Sequence, residues 1–239
     1  MAQLQRLVFT ASQLHASIVI LTPEQQHYLS RVLRLKSGDR FIAMDGHGNS
    51  WFAQLQGDQA TLTEPVVFES EVPIAVTLML ALPKTGLDDV IRQVTELGVA
   101  CVVPIISDRT LLNPSSNKLE RWRRIAQEAA EQSERQFVPT ILDPLSFAAA
   151  LETVEAEQRL ICLARGTPPH LLQCVSAARS TCVAIGCEGG WTEVEEMSAI
   201  AHDYQPVSLG RRILRAVTAP VAVMSMIAGA VEIGMRDER

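Results

Sequence analysis

Two short segments combine residue types that could hold and process a ligand. Gly186, Cys187, Glu188, Gly189 and Gly190 place three glycines and one carboxylate within five positions. Glycine lets a backbone approach a ligand closely or take a positive φ, and a carboxylate among such residues can accept hydrogen bonds. Gly210, Arg211, Arg212, Ile213, Leu214 and Arg215 set three guanidiniums around an aliphatic pair, which suits an anionic ligand with an apolar part. Arg165 and Gly166 begin a third, shorter segment. The glycine segment is no dinucleotide fingerprint, because the spacing Gly-x-Gly-x-x-Gly is absent, and no Gly-Lys-Ser/Thr makes it a phosphate loop. The unexceptional alternatives are a tight strand-to-helix turn for the glycines and a solvated charge run for the arginines. For Glu188 the alternative is a carboxylate near the N-terminus of the following helix.

Other chemistries find less support. The cysteines are Cys101, Cys162, Cys174, Cys182 and Cys187, an odd number with no pair at the two-residue spacing of zinc or redox motifs, so reduced and mostly buried thiols are expected. The five histidines show no metal-ligand spacing, so no metal is expected, and His27 reads as structural and not as a catalyst. Twenty-one Lys and Arg against 27 Asp and Glu give a net charge of −6, which argues against non-specific coating of nucleic acid and leaves room for a local basic face. Hydrophobic residues at 47% and charged residues at 20% exclude disordered and coiled-coil classes. The nearly apolar run 219–231 falls short of the ~20 residues of a membrane span, and residues 1–10 do not read as a signal peptide. A cytoplasmic protein with no membrane association is the expectation.

The elements that must carry these segments follow from periodicity. Residues 6–9, 16–21, 40–44, 50–55 and 60–63 are short β-leaning runs separated by turn signals, and predict a small all-β domain, a barrel, over 1–70. One helix is predicted over 23–35, capped by Thr22 with Pro23 in its first turn and Leu29, Val32 and Leu33 on one face. From residue 73 onward strands alternate with helices: strands over 75–82, 99–106, 160–164, 182–185 and 206–209, and helices over 87–97, 115–135 and 219–234. Such alternation predicts an α/β domain over 73–239 with a mostly parallel sheet covered on both faces. Ligands of such sheets bind beyond the carboxyl ends of strands, which is where all three segments fall.

Five motifs, in order along nearly the whole chain, carry a resemblance. They are Val32-Leu33-Arg34; Thr95-Glu96-Leu97-Gly98; Arg121-Trp122 with Glu131-Gln132-Ser133 and Arg135; Ile185-Gly186-Cys187-Glu188-Gly189-Gly190; and Ser208-Leu209-Gly210-Arg211-Arg212-Ile213-Leu214-Arg215. The chain resembles the RsmE-type family of 16S ribosomal RNA uridine-N3 methyltransferases, within the SPOUT class of S-adenosylmethionine enzymes. The resemblance implies a PUA-like β-barrel that recognises RNA over 1–70. It also implies a trefoil-knotted methyltransferase domain that forms a homodimer over 73–239, and 16S ribosomal RNA of the small subunit as partner. It implies S-adenosylmethionine bound by Leu163, Gly186, Glu188, Gly189, Gly190, Leu209, Gly210, Ile213, Leu214, Arg215 and Ala216, with the adenine held by backbone groups and apolar side chains. Arg6, Arg31, Arg34, Arg121, Gln132, Arg135 and Arg211 are the implied RNA contacts.

Uridine N3 is a poor nucleophile until its proton leaves, so something must favour the anion. Arg215 is the first candidate, as a permanent cation, and Glu188 the second, as a hydrogen-bond acceptor for the cofactor amino group or the base. The chain departs from the family twice: Cys187 replaces a proline, and Ala216-Val217-Thr218 stands where Thr-Glu-Thr is common. Val217 removes a carboxylate. Cys187 is not expected to be a nucleophile, because N3 methylation needs no covalent adduct. Three other readings remain at this point: an RNA-binding assembly factor of the same fold without catalysis, a SPOUT enzyme acting on another nucleotide, and a generic nucleotide-binding α/β enzyme.

Overall fold

The computed structural model describes residues 4–176 and 178–237. The chain divides into two compact units, one running up to Glu71 and taking in Ala130–Val138, the other made of Val72–Ala129 and the chain from Pro139 onward.

In the first unit the strands β1 (Arg6–Val8), β2 (Leu14–His15) and β3 (Ile18–Ile20) precede helix α1 (Pro23–His27), and β4 (Arg40–Met44), β5 (Ser50–Gln56) and β6 (Gln59–Val66) follow it. They form one sheet in the order β1-β4-β5-β6-β3-β2, parallel only between β1 and β4. Leu7 and Phe9 from one end of that order share a core with Val19 and Leu21 from near the other, so the sheet curls around the fully buried Leu29. In β4, Phe41 and Ala43 face this core, while Ile42 and Met44 face a second cluster. Both faces are covered, which is why the strand is apolar along its length rather than alternating.

The single helix predicted over 23–35 is interrupted. Thr22 and Gln25 form the expected capping box, with the Gln25 N–H donating to Thr22 Oγ1 at 3.3 Å and Gln25 Oε1 accepting the Thr22 N–H at 2.9 Å. The α-helix ends at His27, a π turn covers Tyr28–Val32, and Arg34 sits at φ +59°. The wider turn keeps Leu29 in the core and rotates Val32 out to 59% exposure, so Val32 does not share the inward face predicted for it.

Residues 130–138 belong to this unit because their polar groups satisfy it. The Val8 N–H donates to Glu131 Oε1 at 2.8 Å, and Gln136 Nε2 donates to Gly48 O at 3.1 Å and Ser50 Oγ at 3.3 Å. Arg6 pairs with Glu134 at 2.7 Å and lies 4.6 Å over the Phe68 ring; Arg135 pairs with Glu71 at 2.8 Å. Both arginines, expected as RNA contacts, are buried in these pairs and present no free guanidinium at the surface in this structure. Each guanidinium is buried and already holds a carboxylate, so its charge is engaged inside this unit.

The second unit contains an all-parallel sheet. Its elements are β7 (Ala75–Ala81), α2 (Leu87–Glu96), β8 (Cys101–Ile106), α3 (Ser116–Gln132, reaching residue 129 in this unit), β9 (Thr140–Ile141), β10 (Leu145–Ser146), α4 (Phe147–Thr153), β11 (Gln158–Cys162), α5 (Leu171–Cys174), β12 (Ser180–Ile185), α6 (Glu193–Ala201), β13 (Gln205–Val207) and α7 (Ala219–Asp237). The order is β10-β8-β7-β12-β11-β13, with β9 also beside β8. Side chains alternate between two cores: Val76, Leu78 and Leu80 of β7 meet α2, α3 and α7, and Met79 and Ala81 meet α4 and α6. The half-buried thiol of Cys101 and the buried thiol of Cys182 lie in the strands, and desolvation pushes each up to about 11. No helix among the described residues is long and apolar enough to cross a membrane.

Candidate functional site

A cavity of about 650 Å³ opens beyond the carboxyl ends of β11, β12 and β13. It brings together segments far apart in the chain: Leu163 and Arg165 after β11; Gly186, Glu188, Gly189 and Gly190 after β12; Leu209, Gly210, Ile213, Leu214, Arg215 and Ala216 after β13. Every residue singled out for cofactor contact therefore lines one space. Arg211 does not line it and is exposed.

Backbone bonds stitch these loops to one another. The Leu163 N–H donates to Val207 O at 2.9 Å, the Ser208 N–H to Pro169 O at 2.8 Å, and the Leu171 N–H to Ser208 O at 2.9 Å. Arg215 O then accepts the N–H groups of Thr218 (2.8 Å) and Ala219 (3.0 Å), turning the chain into α7, whose first residue reaches the cavity. The positive end of that helix dipole and the side chains of Arg109, Arg165, Arg212 and Arg215 outweigh the two carboxylates present, Glu188 and Glu196. Arg165, Arg212 and Arg215 make no ion pair among the described residues. Their charge is thus available to an anionic ligand.

The glycine loop folds back on itself. The Gly190 N–H donates to Cys187 O at 2.9 Å, and a Cβ on Gly186 would stand 3.2 Å from Gly190 Cα. Gly190 takes φ +67°, and a Cβ there would meet nothing within 4 Å. Gly190→Ala is accordingly expected to cost ~1–2 kcal/mol through backbone strain alone, measured by urea unfolding. An unchanged midpoint would mean that the loop relaxes freely. At Gly189 the added Cβ would lie 3.0 Å from the Arg109 side chain, so a substitution there acts first on that arginine.

Glu188 Oε1 accepts the Lys84 N–H at 3.0 Å, tying the glycine loop to the loop after β7. Val217 also lines the cavity and packs against Gly86, where a Cβ would come within 3.0 Å of Val217 Cγ1. Cys162 lines the cavity as well, and burial pushes its thiol up to about 12, so it stays protonated and non-nucleophilic at neutral pH. Cys187 is buried, with its Sγ 3.9 Å from Ser107 Oγ.

Among the remaining RNA candidates, Arg31, Arg34 and Gln132 are exposed on the first unit. Arg121, on the second, gives its Nε to Asp88 Oδ2 at 2.7 Å. Sequence reasoning passed over Arg109, Trp191 and Glu196, all of which line the cavity. Arg109 sits in a loop just after a strand, which is the positional signal that could have found it. Trp191 follows the glycine segment in the loop after β12 and carries the same signal, whereas Glu196, inside α6, carries none.

A parallel sheet with this cleft at its carboxyl end, in a chain that also carries a separate curled β unit, defines an α/β ligand-binding enzyme with an accessory domain, and comparison gives the class. Residues 70–228 match the RNA methyltransferase domain, and residues 21–64 match the RNA methyltransferase PUA domain. The chain is 47% identical over 231 residues to the ribosomal RNA small subunit methyltransferase E of Synechocystis, covering 93% of this chain and 76% of that one. It is 29% identical to the protein of the same name from Bacillus subtilis, with 91% and 92% covered. A crystal structure of the ribosomal RNA small subunit methyltransferase E from Neisseria gonorrhoeae bound to S-adenosyl methionine superposes with a TM-score of 0.85 at 29% identity, over 95% of this chain and 98% of that one. The chain belongs to the ribosomal RNA small subunit methyltransferase E family, and its α/β unit has the SPOUT fold.

Proposed function

We propose that this protein is an S-adenosylmethionine-dependent methyltransferase that acts as a homodimer on N3 of a single uridine in 16S ribosomal RNA, within the small subunit. The observation that carries the reading is the convergence of the three strand-end loops on one cavity. Its chemistry fits the cofactor. About 650 Å³ lies within the ~300–1,000 Å³ usual for small-molecule sites. The Glu188 and Gly189 N–H groups have no acceptor among the described residues, and Leu163, Leu209 and Leu214 supply an apolar lining for a purine. Bound there, the cofactor supplies an electrophilic methyl group on a sulfonium.

The residues of the chain then divide the remaining work. Arg215, which makes no ion pair among the described residues, stabilises negative charge on the uridine as its N3 proton leaves. Glu188 holds the glycine loop through the Lys84 N–H and presents a carboxylate to the cavity as a hydrogen-bond acceptor. Arg31, Arg34, Gln132, Arg121 and Arg211 are the proposed RNA contacts. Arg121 must share its guanidinium with Asp88.

One observation favours a second reading, an RNA-binding assembly factor without catalysis: Val217 fills its position against Gly86 with an aliphatic side chain and offers no proton acceptor. Calorimetric titration with S-adenosylhomocysteine, followed by methyl transfer to small subunits and mapping of the modified nucleotide, separates the two. Saturable binding with methylation at one uridine N3 is the expected result. Binding without transfer would support the assembly factor, and transfer to another nucleotide would replace the substrate.

A further inference from the structure

The turn 107–110, directly after β8, closes on itself through Ser107 and Thr110 and is bonded outward to the glycine loop and to the start of α6. Ser107 Oγ lies 3.9 Å from Cys187 Sγ and 2.8 Å from Thr110 Oγ1, which closes the turn. The Asp108 N–H donates to Glu195 Oε1 at 2.9 Å, and Asp108 Oδ2 accepts from Thr192 Oγ1 at 3.2 Å. Glu195 is itself buried, and its other oxygen caps the helix by accepting the Thr192 N–H at 2.8 Å. Arg109 makes the remaining link. Its Nη1 donates to Gly189 O at 2.6 Å and to Trp191 O at 3.0 Å, the two carbonyls that bracket Gly190.

Gly190 holds the positive φ of the loop; Gly189 O belongs to the peptide that enters Gly190, and Trp191 O to the 191–192 peptide that leads into α6, so the two carbonyls stand before and after the most permissive residue of the loop. One amino group with two N–H bonds spans both carbonyls and fixes them together, while the aliphatic stem of Arg109 fills the space beside Gly189. The guanidinium is planar and cationic, so these bonds are charge-assisted and directional. Nothing else among the described residues bonds to these two carbonyls.

We propose that Arg109 is a positioning residue for the cofactor, holding the 186–191 loop in the shape that the ligand meets. This rests on the cofactor reading above. Arg109 acts through the loop carbonyls and not on the reacting atoms.

The test uses the full-length protein and two substitutions. Arg109→Met keeps the aliphatic stem and removes both donors; Arg109→Lys keeps a charge and donors on a flexible stem. Hydrogen exchange without ligand reads the Gly190 and Thr192 amides, which are bonded to Cys187 O and Glu195 Oε2. Arg109→Met is expected to speed their exchange about tenfold and to weaken S-adenosylhomocysteine by a similar factor at an unchanged number of sites per chain. Arg109→Lys should recover most of both. Unchanged exchange in Arg109→Met, or Lys as damaging as Met, would overturn the proposal. So would fewer sites at unchanged affinity, the mark of general unfolding. A wild-type protein that binds no S-adenosylhomocysteine would overturn the cofactor reading instead, and the exchange comparison, which needs no ligand, keeps the two failures apart.

Discussion

Arg215→Ala is expected to lower methyl transfer to small subunits by about 10²–10³-fold while leaving S-adenosylhomocysteine affinity within about threefold of wild type. The split follows from how the residue is placed. The bonds that turn the chain into α7 run from the Thr218 and Ala219 N–H groups to the Arg215 carbonyl, so truncating the side chain leaves the turn intact. Arg215 lines the cavity and makes no ion pair among the described residues, so removal of its guanidinium strands no protein carboxylate. What is lost is a cation beside charge that develops only as the N3 proton leaves, which appears in kcat and not in ligand affinity. Turnover within threefold of wild type would remove Arg215 from the chemistry. A matching loss of affinity would make it a binding residue.

Trp122→Ala is expected to destabilise the fold by ~3–5 kcal/mol, a large share of the ~5–15 kcal/mol that holds most domains together. Trp122 is fully buried in the core shared by α2, α3 and α7, and its indole N–H donates to Asp88 Oδ1 at 2.9 Å in the first turn of α2. The cost combines an unfilled cavity with the loss of the bond that pins α2 to α3. Urea unfolding at constant slope measures it. Arg121→Ala supplies the contrast, because that side chain is 58% exposed and its pair with the same aspartate is worth ~1 kcal/mol or less. If both substitutions cost the same, pairing with Asp88, and not the packing of the indole, would be what joins the two helices.

Much of the architecture was legible because burial leaves periodicity in the chain. β4 occupies the span predicted for it, and β7 and α2 differ from expectation by one residue at one end. The α2 pattern of Leu87, Val90, Ile91 and Val94 is buried as its spacing requires. The helix predicted over 23–35 failed because periodicity cannot register the one-residue widening of a π turn, which here decides that Val32 faces out. The burial of Arg6 and Arg135 was illegible for another reason. Their partners Glu134 and Glu71 lie 128 and 64 residues away, and nothing local marks a cation destined for an interior pair.

The same separation limits the domain boundary. A break near residue 70 shows in the rhythm of the chain, but residues 130–138 join the first unit through Glu131 and Gln136, so a deletion of residues 1–70 would leave those side chains without their partners.

Within the site, the glycine and arginine segments could be named from composition and spacing alone, because glycine content and charge are local properties of a loop. Their meeting in one cavity was decided by strand order. Placing β12 between β7 and β11, with β13 beyond, brings residues 163, 186–190 and 209–216 to one edge of the sheet. Parallel strands with both faces buried are alike as apolar runs, so their order is not written in any one of them. Arg109 belongs to the same class of feature. An arginine after a strand is unexceptional in sequence and becomes a clamp only when the fold sets Gly189 and Trp191, some 80 residues later, against its guanidinium.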